Sequence, residues 1–297
     1  MERKLEYVAI DFETANANLT SACSIGIVGA FKGKTVFEKH YLINPNEEFL
    51  SYNVQIHGIT HDMVVNEPTF DKLWEEIKEL IDGAIVFAHC APFDLAVLKS
   101  LLDKYDLEYP NIKVGCTLKV SKIAFKGILE NCKLNTISNY LEVDHNHHNA
   151  ISDALVCFHL LERVKRMYQV YDVVDLFEVL GLGFGSLKDK ILRGCFNKFT
   201  QISSSQTKSK RLEGKIFAFS GKPKTMTKTE AKKLVEVHGG IYTKDINKAI
   251  TTFVIFLNPV KTQLNALNRV LEFKEVEVLN EEQFRKLVIS KGDKNDY

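Results

Sequence analysis

A run of nine consecutive residues without one apolar side chain, residues 203–211, divides this chain of 297 residues. Its Ser, Gln, Thr, Lys and Arg side chains cannot join a hydrophobic core, so the run is typical of a linker. Folded structure must therefore be built separately on either side of it. We predict a first domain over residues 1–167, a connector and polar linker over 168–211, and a smaller second domain over 212–297.

The formal charges of the two sides are opposite in sign, although the whole chain carries a net charge of only +1. Residues 1–165 hold 16 Lys and Arg against 23 Asp and Glu, a balance of −7, whereas residues 205–297 hold 18 against 11, a balance of +7. An acidic first domain repels a polyanion unless cations neutralise it, and a basic second domain attracts a phosphate backbone. Two ordinary solvated surfaces would give the same counts, so charge alone leaves both interpretations open.

The cysteine pattern and the apolar segments bear on where the chain works. The six cysteines are scattered without a Cys-x-x-Cys pair, and most lie in apolar runs as buried thiols do. The first residues lack the pattern of a secretory signal, and no apolar stretch is long enough to cross a bilayer. These observations predict a cytoplasmic protein without a membrane partner.

Hydrophobic periodicity predicts an α/β fold with a mixed sheet in the first domain. Residues 5–10 form an apolar strand, and residues 25–31 and 36–43 flank a polar turn as in a hairpin. Residues 70–81 carry apolar side chains at helical spacing and precede a short buried strand at 84–87. Strands that alternate with helices indicate a sheet with helices packed against it. Further helices are predicted at 93–104, 134–141 and 150–167.

The second domain has the pattern of a small α/β unit. Residues 168–200, before the linker, are interpreted as a connector because glycines interrupt a helical pattern there. Beyond the linker, Thr227 and Glu230 form a possible capping box, which marks the start of a helix. Strands are predicted at 215–220, 241–243, 252–257 and 276–279, and helices at 228–238, 262–272 and 281–290.

Two acids, Asp11 and Glu13, stand two residues apart at the end of the first apolar strand. Side chains at i and i+2 of a strand point to the same face, so the two carboxylates lie side by side. Two like charges in that position are costly unless a proton or a metal ion relieves them. The alternative is a pair of solvated acids at a strand end.

Asp94 and Asp153 each lie on the apolar, core-facing stripe of a predicted helix. An inward-facing acid needs a partner, although the helix N-terminal dipole after Pro92 would stabilise Asp94 alone. Three separate elements that aim acids at the core are typical of an all-oxygen site for hard divalent ions. Mg²⁺ or Mn²⁺ is therefore favoured over Zn²⁺, and the histidines favour no zinc site either.

Three histidines, His145, His147 and His148, precede the helix of Asp153. For any single one of them a solvated loop is the plainer interpretation. The spacing favours His148, because it stands just ahead of the helix that carries the acid. An imidazole beside a metal site can take the proton from an attacking water.

These motifs resemble those of the DnaQ-like DEDDh exonucleases, the family of the proofreading epsilon subunit of bacterial DNA polymerase III, over roughly residues 5–167. Residues 11–14 resemble the first motif, residues 88–94 the second, and residues 148–153 the H-x-A-x-x-D third. Cys90 stands where the family usually has Asn. The resemblance implies an RNase H-like fold for the first domain.

The resemblance also implies the chemistry. Two Mg²⁺ or Mn²⁺ ions would be held by four carboxylates, those of Asp11, Glu13, Asp94 and Asp153. His148 would act as the general base. One ion would lower the pKa of the attacking water and the other would stabilise the leaving 3'-oxygen, so that a nucleoside 5'-monophosphate is released at each step.

Residues 56–60 resemble the segment that lies near the terminal base of the substrate in this family. Apolar side chains there would stack or wedge against bases. For Ile59 and Phe93 a place in the core is the alternative. The residues expected to line the terminal nucleotide are Thr14, His57, Ile59, Thr60 and Phe93.

Residues 212–292 resemble a single BRCT domain of the kind attached to bacterial DNA ligases and exonucleases. The resemblance rests on residues 212–221, on the helix end at 239–240 and on residues 252–255. The Trp common in the last helix is absent, with Phe284 nearby. By resemblance, phosphate binding is expected at Ser220, Gly221 and Lys261. For the Ser-Gly pair a plain turn is the alternative.

Together these features predict a 3'-to-5' exonuclease that hydrolyses single-stranded or frayed DNA ends in replication or repair. The basic BRCT-like domain is expected to tether it to DNA or to a replication or repair protein, and this domain favours DNA over RNA. An exoribonuclease is one alternative, because the same metal chemistry serves both nucleic acids and 2'-hydroxyl contacts cannot be read from a sequence. A non-catalytic nucleic-acid clamp is the other, and the presence of all five motif residues argues against it.

Overall fold

In the computed structural model, the described residues are 5–198, 210–256, 261–273 and 276–289, without the side chains of 261–264 and 289. The chain forms two compact units, Met1–Phe196 and Asn197–Tyr297. Residues 203–209 of the predicted linker lie outside the described residues.

The elements up to residue 197 are nine strands and eight helices within the described residues. The strands are β1 (Tyr7–Thr14), β2 (Ala22–Phe31), β3 (Lys34–Leu42), β4 (Ile85–Ala88), β5 (Ile112–Cys116), β6 (Leu182–Gly183), β7 (Gly185–Lys188), β8 (Ile191–Arg193) and β9 (Phe196–Asn197). The helices are α1 (Ser51–His57), α2 (His61–Val64), α3 (Phe70–Ile81), α4 (Ala91–Lys104), α5 (Thr117–Ala124), α6 (Leu134–Leu141), α7 (Ala150–Tyr168) and α8 (Val173–Leu180).

Seven of these strands form one mixed sheet in the order β3-β2-β1-β4-β5-β7-β8. The central strands β1, β4 and β5 are parallel, and the neighbours on both sides are antiparallel. Parallel strands end at the same edge of a sheet, so the carboxyl end of β1 lies beside the carboxyl end of β4, from which α4 begins. The predicted mixed sheet with flanking helices is confirmed.

Helix α7 packs directly on β1 and β2, and one glycine allows this. A Cβ atom at Gly26 of β2 would lie 2.3 Å from the backbone carbonyl carbon of Ala150, the first residue of α7. Gly26 pairs with Asp11 across the β1–β2 ladder. The close approach therefore brings the first turn of α7 next to the acid on β1.

Of the region interpreted as a connector, residues 168–200, the described part up to residue 198 belongs to the fold instead. It contains α8, and β7 and β8 extend the sheet beyond β5. The glycines that were interpreted as breakers are needed for close packing: a Cβ atom at Gly185 would lie 2.0 Å from the carbonyl oxygen of Arg193. Strands of only three or four residues with glycine at their ends show no clear alternation, which is why the sequence did not reveal them.

The second unit is a four-stranded parallel sheet with helices packed on it, and its strands lie in the order 241–242, 216–221, 252–256 and 277–280. The predicted capping box is confirmed, because Thr227 accepts from the Glu230 N–H and the Glu230 carboxylate accepts from the Thr227 N–H. Phe284 is fully buried in the core. The strands are β10 (Ile216–Gly221), β11 (Ile241–Tyr242), β12 (Thr252–Phe256) and β13 (Glu277–Asn280), and the helices are α9 (Lys228–Val237), α10 (Lys261–Leu271) and α11 (Glu281–Ile289).

The six cysteines are free thiols, four of them buried. Among the described residues, no helix combines the length and the apolar character that crossing a membrane requires. The cytoplasmic location inferred from the cysteine pattern stays a prediction.

Candidate active site

Four carboxylates converge at the edge of the sheet where β1 and β4 end. Asp11 and Glu13 lie on β1, Asp94 lies in the first turn of α4, and Asp153 lies in the first turn of α7. The backbone N–H of Phe12 donates to Asp94 Oδ1 at 3.1 Å, which fixes α4 against β1 between the two strand acids. All four carboxylates line one open cleft of about 550 Å³.

Burial and mutual repulsion disfavour the charged forms of these acids. Burial, with Asp153 and Asp94 nearby, raises the pKa of Glu13 to about 8. Burial raises the pKa of Asp94 to about 7, although the hydrogen bond from Phe12 opposes this shift. Burial and the neighbouring acids hold the pKa of Asp11 well above its usual range. The residues that line the cleft include no Lys or Arg in the described part of the chain, so no permanently cationic side chain of the lining offsets the charge of these acids when they ionise.

This donor set fits divalent metal ions. Carboxylate oxygens are the ligands that Mg²⁺ and Mn²⁺ prefer, and a bound cation relieves the repulsion that raises these pKa values. Glu13, His148 and Asp153 also place one oxygen or nitrogen ligand atom each within 4.8 Å of one another. The chain thus supplies both the charge and the geometry for ions at this edge of the sheet.

Asp153 differs from the other acids because protein donors surround its carboxylate. Its Oδ2 atom accepts from the backbone N–H of His148 at 3.0 Å. Its Oδ1 atom lies 2.5 Å from His145 Nε2 and 3.5 Å from His147 Nδ1. The side chain of His145 is only 4% exposed, and its Nδ1 lies 3.0 Å from Ser138 Oγ. The carboxylate of Asp153 is therefore held in a fixed orientation.

The buried position of His145 corrects the interpretation of that histidine as part of a solvated loop. The loop after α6 begins at Glu142, which has a left-handed backbone with φ of 56°, and His148 has a φ of 63°. These two turns fold the loop back over the start of α7. The sequence offered no signal for this path beyond three histidines within four residues.

His148 faces the cleft with a half-buried imidazole. Its Nδ1 atom lies 3.9 Å from Glu13 Oε1, and its ring stacks on the His147 ring with centroids 3.7 Å apart. Burial and the neighbouring His147 lower the pKa of His148 below its usual range. The neutral ring, which can accept a proton, is the dominant form near neutral pH.

The cleft contains three of the five residues expected around a terminal nucleotide. Thr14, His57 and Phe93 line it, and Phe93 is 43% exposed. The His57 ring is fixed, because Nδ1 accepts from the Ile59 N–H at 3.0 Å and Nε2 lies 3.1 Å from the Thr14 carbonyl oxygen.

Ile59 and Thr60 do not line the cleft, so their expected contact with the nucleotide is not supported. Gly58, with φ of 75°, ends α1 and turns the chain. Ile59 then packs into a small buried cluster with Ala15, Cys23 and Val64. Thr60 is exposed and precedes α2.

The sequence analysis did not predict the exposed apolar side chains that lie around the mouth of the cleft. They come mainly from α1 and the loop before it, and α1 has no buried residue that would give it an apolar stripe. Such side chains can stack on or wedge between bases. Together with Phe93, the large exposed apolar residues of the lining are Leu19, Leu50 and Tyr52.

The second motif has a strained backbone at Cys90. This residue precedes α4 with a φ of 78°, is exposed, and makes no side-chain cap hydrogen bond. Asn adopts this left-handed conformation more readily than most residues, which gives a physical reason for the family's Asn here. The preceding His89 is held by the Cys132 carbonyl oxygen at 2.8 Å and by Thr117 Oγ1 at 3.0 Å.

In the second unit, Ser220 and Gly221 lie at the carboxyl end of β10, and Gly221 has a φ of 84°. The side chain of Lys261 lies outside the described residues. In the loop that follows, the Glu281 carboxylate accepts from the backbone N–H groups of Lys224 and Thr225. Phosphate binding at this end of the sheet stays a prediction.

A carboxylate cleft at one edge of a mixed sheet, faced by an imidazole, is the arrangement that the resemblance to the DEDDh exonucleases implies. Residues 8–161 match the family model described as Exonuclease (RNase_T), and the chain belongs to this exonuclease family. Residues 207–287 match the BRCA1 C Terminus (BRCT) domain, so the second unit is a BRCT domain.

Curated relatives include the 3'-5' exonuclease DinG of Bacillus subtilis (strain 168), which is 33% identical over 172 residues. That alignment covers 55% of this chain and 18% of DinG. A PolC-type DNA polymerase III of Caldanaerobacter subterraneus subsp. tengcongensis is 28% identical over 177 residues, which are 59% of this chain and 12% of the polymerase. The chain thus spans less than a fifth of the length of either relative.

Among solved structures, exonuclease I is similar in fold with a TM-score of 0.52 at 13% identity. The similarity covers 59% of this chain and 44% of exonuclease I. It supports the RNase H-like architecture of the first unit.

The raised pKa values predict how the stability of the metal-free protein depends on pH. Unfolded Glu13 and Asp94 would lose their protons near 4.5 and 3.8, whereas the folded groups hold theirs to about 8 and about 7. Between the unfolded and the folded pKa values, the folded state therefore binds more protons than the unfolded state. Its stability falls as the pH rises through this range. In EDTA we expect the Tm to be lower near pH 9 than near pH 6 by about 4 °C or more.

Thermal unfolding in EDTA across this pH range measures the effect. Saturating Mg²⁺ should remove most of the fall, and Glu13→Gln should flatten it. A Tm in EDTA that stays constant or rises with pH would show that the acids do not repel one another in this way.

Proposed function

We propose that this chain is a metal-dependent 3'-to-5' exonuclease that removes nucleotides from single-stranded or frayed DNA ends and releases nucleoside 5'-monophosphates. The observation that carries the proposal is the convergence of Asp11, Glu13, Asp94 and Asp153 in one cleft whose charge the protein leaves uncompensated. A cleft of this kind must take up cations before it can accept the phosphodiester of a nucleic acid.

Two Mg²⁺ or Mn²⁺ ions would be held by these four carboxylates, and when bound they supply a nucleophilic water at neutral pH and neutralise the charge that develops on the leaving oxygen. Asp153 is oriented by His145 and by the His148 N–H, so its oxygens need little rearrangement during the reaction. His148 takes the proton of the attacking water, because its neutral ring faces the cleft beside Glu13.

The substrate side of the cleft suits an unpaired end. Phe93, Leu50 and Tyr52 expose apolar surface at its mouth, and the splayed bases of a single strand can stack on or wedge against such surface. The His57 ring is held in place by Thr14 and Ile59, so it forms a rigid part of the cleft wall.

The activities of the relatives support the direction of hydrolysis and the choice of nucleic acid. DinG is named a 3'-5' exonuclease, and the PolC-type protein is named a DNA polymerase III. The first name supports the 3'-to-5' direction and the second supports DNA as the substrate, for which we propose a role in replication or repair. Chromatography of the released mononucleotides tests the product: we expect 5'-monophosphates, and 3'-monophosphates would contradict the proposed chemistry.

The BRCT domain would tether the enzyme to DNA or to a replication or repair protein. Its part of the chain, residues 205–297, carries a balance of +7, opposite to the catalytic part. BRCT domains bind protein partners, and a basic surface also binds phosphate backbones.

Removal of residues 205–297 should weaken retention on long DNA and leave single-step chemistry intact. We expect Kd for a long single strand to rise roughly tenfold or more at low salt, with a shallower salt dependence, because the cationic charges that attract the phosphates are lost. Fluorescence anisotropy measures binding, and turnover of a trinucleotide is the control. A collapse of turnover on the trinucleotide would contradict a separable tether.

A further inference from the structure

The first unit carries a second concave site, away from the carboxylates. This pocket of about 350 Å³ lies between the end of α6 and the middle of α7. Three basic residues of α7, namely His159, Arg163 and Arg166, form one wall, and residues 140–143 form the other. Spacings of four and three residues place the three basic side chains on one stripe of the helix.

The two arginines of this pocket are available for a ligand. Arg163 and Arg166 are exposed, and neither makes an ion pair within 4 Å to any described residue. Glu142 is the one acidic residue among those that line the pocket, against the two arginines and His159. Guanidinium groups suit phosphate because their planar donors bind its oxygens in pairs.

The pocket and the cleft lie along the same two helices. Leu134, the first residue of α6, lines the cleft, and Leu141, the last residue of that helix, lines the pocket. Helix α7 likewise carries Asp153 in the cleft, and its residues His159, Arg163 and Arg166 line the pocket. At about 1.5 Å per residue, the two arginines lie roughly 15 and 20 Å along α7 from the acid.

We propose that this pocket binds a phosphodiester of the substrate strand, upstream of the nucleotide that is being removed. The proposal rests on the nuclease function proposed above. The exposed ring of Tyr140, held edge-on by Phe125 at 5.4 Å, offers a base a stacking surface beside the arginines. With a rise of about 3.4 Å per nucleotide in a stacked strand, the pocket meets the strand about four to six nucleotides from the reacting end.

The test compares Arg163→Gln/Arg166→Gln with the wild-type protein on single-stranded DNA of 3 and about 12 nucleotides. KM for the longer strand should rise roughly tenfold while kcat and turnover of the trinucleotide stay unchanged. The slope of log Kd against log salt, from anisotropy in Ca²⁺, should fall by about 0.7 for each lost phosphate contact. A matched control is Lys188→Gln/Arg193→Gln, which removes the same charge from exposed positions on β7 and β8.

Three results would overturn the pocket as a strand site. These are an unchanged KM and salt slope in the variant, an equal change in the control, or an equal loss on the trinucleotide. In the first case an acidic peptide would become the better candidate ligand. If the wild-type protein hydrolyses neither strand, the anisotropy comparison still tests whether the pocket binds the DNA strand, independently of the nuclease function.

Discussion

Asp11→Asn should lower the rate of hydrolysis at least about a thousandfold, because it removes a charged ligand from a site whose ions stabilise the reaction by several kcal/mol. The same change should not unfold the protein. Asp11 is held near Asp94, Asp153 and Glu13 with a pKa well above its usual range, so a neutral amide relieves repulsion. In EDTA at alkaline pH we expect the variant to have a higher Tm than the wild-type protein.

Rate measurements on protein stripped of metal and then supplied with Mg²⁺, combined with thermal unfolding in EDTA, check both parts. Asp106→Asn is a matched control, since the Asp106 side chain is 96% exposed and its left-handed backbone also suits Asn. Full activity of Asp11→Asn would contradict the metal mechanism. A lower Tm would contradict the electrostatic account of the cleft.

His148→Asn is the second change with a large expected effect. Loss of a general base typically costs between about a hundredfold and ten-thousandfold in rate. Asn tolerates the φ of 63° at this position, so the change removes the imidazole without adding backbone strain. The pKa of His148 is lowered, so the wild-type rate should rise with pH on the acid side of the profile, where this imidazole loses its proton. In the variant this rise should be absent.

A pH–rate profile under single-turnover conditions separates the two roles that His148 could play. His61→Asn serves as the control, because its side chain is 60% exposed. An unchanged rate in His148→Asn would assign the proton transfer to another group. A lowered rate that still rises with pH on the acid side of the profile, as in the wild-type protein, would point to a positioning role.

The acids of the site could be predicted from the sequence because each one breaks a strong pattern. Asp94 and Asp153 interrupt apolar stripes at positions that must face a core, and both are 3% exposed. Asp11 and Glu13 end a strand whose other residues are buried. Elements with clear periodicity, such as α3 and α6, were predicted with the observed bounds for the same reason.

The residues that were missed have no such local signal. His145 is buried by a loop path that depends on left-handed turns at Glu142 and His148, and no periodic pattern encodes that path. Helix α1 buries none of its side chains, so it carries no stripe, yet it supplies a wall of the cleft. Strand β7 pairs with β5, which is a long-range contact, and β8 joins the sheet only through β7.

For Ile59 the structure favours the core, which was the alternative left open by the sequence. Its place in a motif-like segment suggested a contact with the nucleotide, but the turn at Gly58 directs it into a buried cluster. When a segment resembles one in a known family, the resemblance predicts where its backbone lies. The direction of each side chain still depends on local turns.

The central claim is tested most directly by a gel time course on matched 5'-labelled DNA and RNA single strands, with Mg²⁺, Mn²⁺ or EDTA. The account predicts a ladder that shortens from the 3' end with either metal, stops in EDTA, and is faster on DNA. Absence of cleavage under every condition would contradict the exonuclease and leave a nucleic-acid-binding clamp, and a faster ladder on RNA would contradict the assignment to DNA.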